Sequence, residues 1–297
     1  MSGVGGEQPV LLSVDFEDWH QLVRRRVGAG DWRERTPALE RQTQTLLALL
    51  DELGVRATFF ILGMAARSYP SLVQALASRG HEVACHGDQH QPVHSLTPRE
   101  FAADLQASRS TIEQLTGRAP IGYRAPAFSI TASARWAYEV LAAEGFAYDS
   151  SQHDSPRIRG RIASDGGEPH RLELDDGVGL WEFPLAVWRV GSARLPVGGA
   201  SYWSVLPTAL VLHGLSSAGP MAGVYLHPHE LDPQPLRARL ARGATVSQWA
   251  HASVRAMQRN RARRRAATVL RAIAKRSPLI TYGEAYAQLS GRSGAGS

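Results

Sequence analysis

The sequence has one cysteine, Cys85, and one lysine, Lys275, among its 297 residues. A single thiol excludes an intrachain disulfide framework, so the fold must be held by its core. A chain of this length can do that, because it buries most of the surface it exposes when unfolded. No run of about 18 apolar residues occurs, which excludes an ordinary transmembrane helix. The first residues, M-S-G-V-G-G-E-Q-P, carry neither a basic leader nor an apolar stretch. The expected location is therefore cytoplasmic. With 43% hydrophobic and 20% charged residues, disorder is excluded as the overall description. Charge of one sign is not in large excess: 33 basic residues face 27 acidic ones, a net +6. Nine of the basic residues, and no acidic one, lie between Arg255 and Arg276. Without them, 24 basic residues oppose 27 acidic ones, a net −3 for the rest. A surface coated for nucleic acid is thus disfavoured, and the excess belongs to one predicted helix, about 244–276.

What is present is an alternation. Residues 10–16 (V-L-L-S-V-D-F) read as a buried strand ending in carboxylates. Residues 38–53 place leucines at helical spacing before Gly54. Strands are expected at 56–62, 81–85, 121–124 and 146–149, with helices at 70–79 and 131–144 between them. A further helix begins at Thr97 with the capping box T-P-R-E and runs to about 115. Such alternation argues for βα units and a parallel sheet or barrel. The stretch 150–205 predicts loops with short strands, 223–226 another strand, and 278–282 a closing strand. Residues 1–289 are expected to form one domain, with 290–297 a disordered tail.

Polar clusters recur just after predicted strands, where parallel α/β folds place their sites. D-F-E-D-W-H (15–20) holds Asp15 and Glu17 on one face if the strand continues, and Asp18 if it breaks. H-G-D-Q-H (86–90) offers His86 and His90, a pair that can bind one divalent ion with a carboxylate as third ligand. G-Y-R-A-P-A-F-S (122–129) supplies Arg124, able to orient a carboxylate. Y-L-H-P-H-E-L-D-P (225–233) supplies His227, a candidate general acid.

In this order the motifs resemble the polysaccharide deacetylase family, the NodB homology domain or carbohydrate esterase family 4. The resemblance runs from about residue 10 to 235. D-F-E-D-W-H, C-H-G-x-x-H, Y-R-A-P-x-F-S-I-T, E-F-P-L and L-H-P-x-E-L-D-P look like the branch associated with exopolysaccharide and exosortase gene clusters. It implies an α/β fold, a distorted (β/α)7-type barrel. It also implies hydrolysis of N-acetyl groups on an amino sugar, polysaccharide or lipid-linked glycan. By the same resemblance Asp15 is the catalytic base, Arg124 orients it and His227 is the general acid. His86 and His90 are metal ligands for a divalent ion, zinc or else cobalt, nickel or manganese. Phe16 interrupts the family's adjacent aspartates, so the third ligand is Glu17 or Asp18. Trp181 falls near the family's substrate-wall tryptophan, although W-E-F-P departs from the common form. Tyr123 and Phe128, with Tyr202 and Trp203, are further candidates for walls around a sugar. Two rivals stand beside this: a NodB-like amidohydrolase for cyclic imides such as allantoin, and a non-catalytic protein whose basic helix binds anionic membrane or nucleic acid.

Overall fold

The computed structural model describes residues 8–28, 34–155, 162, 167–174, 177, 179–240 and 242–291. Residues 292–297 of the expected tail lie outside these. The strands are β1 (Val10–Phe16), β2 (Thr58–Ile61), β3 (Glu82–Cys85), β4 (Gly122–Tyr123), β5 (Tyr148–Asp149), β6 (His170–Leu172), β7 (Leu180–Glu182), β8 (Trp188–Val190), β9 (Ala193–Leu195), β10 (Ala222–Leu226) and β11 (Leu279–Ile280). The α-helices in the first half are α1 (Trp19–Val27), α2 (Ala38–Leu53), α3 (Gly63–Ser68), α4 (Pro70–Ser78), α5 (Pro98–Thr116) and α6 (Ala137–Ala143). Those in the second are α7 (Ala200–Trp203), α8 (Thr208–Ser216), α9 (Val246–Arg263), α10 (Ala266–Ala274) and α11 (Tyr282–Ser290).

Seven strands run parallel in the order β10-β1-β2-β3-β4-β5-β7. Past β7 the chain reaches Leu185, which bridges Gly223 of β10 and brings the ends of the row together. The expected barrel-like α/β fold is therefore present. Strand β6 lies antiparallel on β7, and β11 adds beside β1.

Strand periodicity decides which side chains meet which core. Val10, Leu12, Val14 and Phe16 join the large cluster shared with the surrounding helices. Leu11 on the other face joins Phe60, Ala84, Tyr148, Phe183 and Tyr282 in a second cluster. Leu39, Leu46 and Leu50 of α2 are fully buried, and Gly54 ends the helix at φ 64°. The capping box expected at Thr97 is formed with Glu100.

Three expectations shift. The helix at 131–144 starts as a 3-10 turn, Ala132–Ala134, and becomes α-helical only at Ala137. The basic helix is two helices, α9 and α10, interrupted at Arg264 and Arg265. Helix α10 buries Val269, Leu270 and Ile273 in the main core, whereas α9 docks through Ala252 and Ala256 onto Trp19 and Val23 of α1. Helix α1 itself was not expected; Asp18 caps it by accepting from the His20 N–H at 2.9 Å. Among the described residues no helix is long and apolar enough to cross a membrane.

Candidate active site

The inward faces of four strands, β1, β3, β4 and β10, deliver polar groups at or just past their C-terminal ends. On β1 the alternation Leu11, Ser13, Asp15 continues to Glu17; β3 leads to His86, β4 to Arg124, and β10 carries Tyr225 and leads to His227. These groups meet around a cavity of about 410 Å³ lined by Asp15, Glu17, His86, His90, Phe128 and His227, among others.

Arg124 is fully buried, and the surrounding elements use nearly all its donors. Its Nη1 donates to Asp15 Oδ1 and Ser13 Oγ, both at 2.8 Å, and its Nη2 to Ser150 Oγ and Tyr282 Oη. The Nε donates to the Ser150 carbonyl, and the guanidinium lies 4.1 Å from the Phe60 ring centroid. Burial alone would favour the neutral form, but Asp15 and Tyr282 outweigh it and raise the Arg124 pKa. Asp15 therefore faces a fixed positive charge.

His86 Nδ1 sits 2.7 Å from the Arg124 carbonyl, an acceptor, so the proton belongs on Nδ1 and the Nε2 lone pair is free. Burial pushes the His86 pKa down and keeps the ring neutral. Glu17 Oε2 lies 3.0 Å from His90 Nε2 and 3.9 Å from His86 Nε2. That oxygen is buried without a hydrogen bond of good geometry. The potential ligand atoms of Glu17, His86 and His90 lie within 4.8 Å of one another. Two imidazoles and one carboxylate, one of whose oxygens is buried and orphaned, fit a divalent cation.

The 86–90 loop is built for this. Gly87 has φ 78°, and a Cβ there would come 2.8 Å from Asp104 Oδ2. The Asp104 carboxylate accepts the N–H groups of Asp88 and Gln89, and Arg67 grips Asp88 at 2.7 and 2.9 Å. His90 is held at φ 53°, and Ala127 and Phe128 at φ 55° and 54°, so three non-glycine residues in the left-handed region line the cavity.

His227 stands between two carboxylates: Nε2 is 3.2 Å from Glu17 Oε1, and Nδ1 is 3.3 Å from Glu230 Oε2. Burial opposes its charge, but the hydrogen bonds to Glu17 and Glu230 push its pKa up to about 10. Glu230 is fully buried and also bonded by Ser201 and Arg259, at 2.7 and 3.2 Å. His227, His229 and Glu230 form a second close trio. The Arg259 guanidinium on Glu230 already neutralises that carboxylate, which makes the trio a poor cation site.

Residues 34–145 match the family model for polysaccharide deacetylase, and residues 154–273 match one described as a domain of unknown function (DUF3473). The deacetylase likeness is carried by that first segment, 112 of the 297 residues. A peptidoglycan deacetylase-like protein of Gibberella zeae is 33% identical over 152 residues, 48% of this chain and 43% of that protein. A peptidoglycan deacetylase of Helicobacter pylori is 32% identical over 106 residues, 36% of this chain and 35% of that one. The alignments thus span less than half the length of these relatives. A Mycobacterium smegmatis structure assigned to the polysaccharide deacetylases has TM-score 0.60 at 18% identity, over 98% of this chain and 93% of that chain. A mutant of a family 4 carbohydrate esterase pseudoenzyme with restored activity has TM-score 0.51 at 13% identity, over 95% and 68%. At such identities the likeness carries the fold alone.

The fold brings Asp15, Glu17, His86, His90, Arg124, Phe128 and His227 together. It turns Asp18 away: its carboxylate accepts from Thr36 Oγ1 and Tyr69 Oη as well as capping α1. Of the two carboxylates left open as third ligand, Glu17 is therefore the one that reaches the imidazoles. Tyr123 does not line the cavity; its neighbour Arg124 points inward, so Tyr123 packs outward, edge-on to Phe101 and Phe146. Trp181 does not line it either and packs instead against Phe183 in the cluster closed by Tyr282. Trp203 is core, with its indole N–H bonded to the Val197 carbonyl. Sequence reasoning missed Tyr225, two residues before His227 on the same strand face, although period two could have found it. It also missed the second helical wall: Arg25 and Arg26 of α1 with His251, Arg255 and Arg259 of α9.

Proposed function

We propose that the domain is a metal-dependent hydrolase that removes N-acetyl groups from an amino sugar or glycan precursor and releases acetate. The supporting observation is the trio Glu17, His86 and His90 beside the Asp15–Arg124 ion pair in one cavity. The names of the peptidoglycan deacetylase relatives agree with it. The two-imidazole, one-carboxylate set suits zinc, with cobalt, nickel and manganese as alternatives. When bound, such an ion supplies Lewis acidity that polarises the acetamide carbonyl and acidifies water.

The chain's own residues do the rest. Asp15 takes the proton of the attacking water, held in place by Arg124. His227, protonated between Glu17 and Glu230, gives its proton to the departing amine nitrogen. One proton enters at Asp15 and one leaves from His227, so acetate and a free amino sugar form in balance. Phe128 and Tyr225, edge-on at 5.2 Å, offer an apolar face for a sugar ring. A single domain over 1–289 and a cytoplasmic location, with contact to an anionic membrane face, belong to the same proposal. The exposed Trp249 and Met257 of α9 among its arginines support that contact.

Elemental analysis together with acetate release from N-acetylglucosamine oligomers tests the proposal. One equivalent of metal and metal-dependent acetate release are expected. Ring opening of allantoin-type imides without acetate would select the amidohydrolase instead, and a biological effect surviving His86→Ala would select a binding protein.

A further inference from the structure

One wall of the cavity carries charge that the hydrolysis does not use. Arg26 closes α1 and Arg255 lies in the middle of α9, and both line the cavity that holds Asp15, Glu17 and His227. Arg259, one turn along α9, lines it too and is bonded to Glu230. Among the described residues neither the Arg26 nor the Arg255 side chain forms a hydrogen bond or an ion pair. Partial burial, then the charges of Arg26 and Arg259, lower the Arg255 pKa.

Local sequence accounts for only part of this. Arg26 sits in the last turn of α1, where a cation complements the helix dipole. Arg255 gains nothing of the kind. The two helices are far apart in sequence and are locked together by Gln248, whose Nε2 donates to the Val27 carbonyl at 2.7 Å. Tertiary packing thus brings like charges onto one cavity, near enough to feel each other, an arrangement that an anion would relieve.

We propose that Arg26 and Arg255, backed by Arg259, bind a phosphate group carried by the substrate, so that phosphorylated N-acetylated saccharides are the substrate class. Two guanidiniums without a partner among the described residues, with a third behind them, suit a dianion with several acceptor oxygens better than a single carboxylate. The inference rests on the deacetylase proposal for the sugar half of the ligand.

The test is direct binding to the full, metal-stripped chain by calorimetry, which needs no turnover. N-acetylglucosamine 1-phosphate is expected to bind about tenfold or more tightly than N-acetylglucosamine. That preference is expected to weaken with salt and to disappear in Arg26→Gln/Arg255→Gln, whose fold is checked by its melting curve. Equal affinities for the two sugars, or a preference that survives the double substitution, overturn the proposal. Inorganic phosphate binding as tightly as the sugar phosphate overturns the substrate assignment, and glucuronic acid binding as tightly overturns the choice of phosphate. Acetate release by the metal-loaded protein fails or succeeds separately.

Discussion

The cavity has two walls of opposite character. One is made by strand ends and presents buried carboxylates and imidazoles, each tied to a neighbour: Asp15 to Arg124, His86 to a carbonyl, His227 to Glu17 and Glu230. The other is made by α1 and α9 and presents arginines that are half-buried or exposed. Backbone periodicity and buried hydrogen bonds fix the first wall. The second exists only because two small alanines, Ala252 and Ala256, let α9 settle on Trp19 and Val23. Rigidity is thus concentrated where the proposed hydrolysis would take place, and adjustable charge where the rest of a substrate would lie.

The widest separation between the walls comes from removing a ligand. Glu17→Ala is expected to lower acetate release by about 10²-fold or more and to abolish stoichiometric metal. Asp18→Ala, one residue on, is expected to keep the metal and to lose about 2–4 kcal/mol of stability with the α1 cap and the bonds from Thr36 and Tyr69, read by denaturant titration. Equal metal loss in both variants would erase the distinction between them.

Arg124→Met tests the tie within the strand-end wall. It leaves Asp15 buried without its partner, and a loss of about 3–5 kcal/mol is expected in chemical denaturation. A change well under that would show that Asp15 finds another partner.

Ala252→Leu tests the helical wall. Overpacking at the fully buried contact with α1 is expected to cost about 1–3 kcal/mol and to weaken sugar-phosphate binding while the metal stoichiometry holds. Loss of metal in this variant would mean that the walls are not separable.

The smallest effect concerns a buried pair behind the strand-end wall. Burial and then the Asp149 carboxylate push the Glu182 pKa well up, so its folded-state value exceeds its unfolded one. The folded state then binds the extra proton, and the stability this gives is complete below the ordinary glutamate value. It is lost as pH rises through the raised folded value. Glu182→Gln is expected to flatten that decline, measured by denaturation below the ordinary glutamate range and well above it.

Much of the strand-end wall was legible because strands impose period two and end where polar residues begin. Asp15, His86, Arg124 and His227 all follow apolar runs that the core required. The same rule, applied strictly, would have excluded Tyr123 and included Tyr225. Trp181 illustrates a different limit: its face was readable, but its packing against Phe183 depends on how α11 closes the second cluster. Asp18 and Glu17 differed only in whether the strand stopped, and the α1 cap decided that.

The sequence by itself determined the alternating α/β fold, the polar strand ends and the confinement of excess charge to one region, because these follow from local periodicity and composition. Only the tertiary structure decided which carboxylate meets the imidazoles and where the basic helix lies. The first depends on Thr36 and Tyr69 reaching Asp18, and the second on contacts between residues some 200 positions apart, such as Val27 with Gln248; no local pattern encodes which distant surface will receive a side chain or a helix.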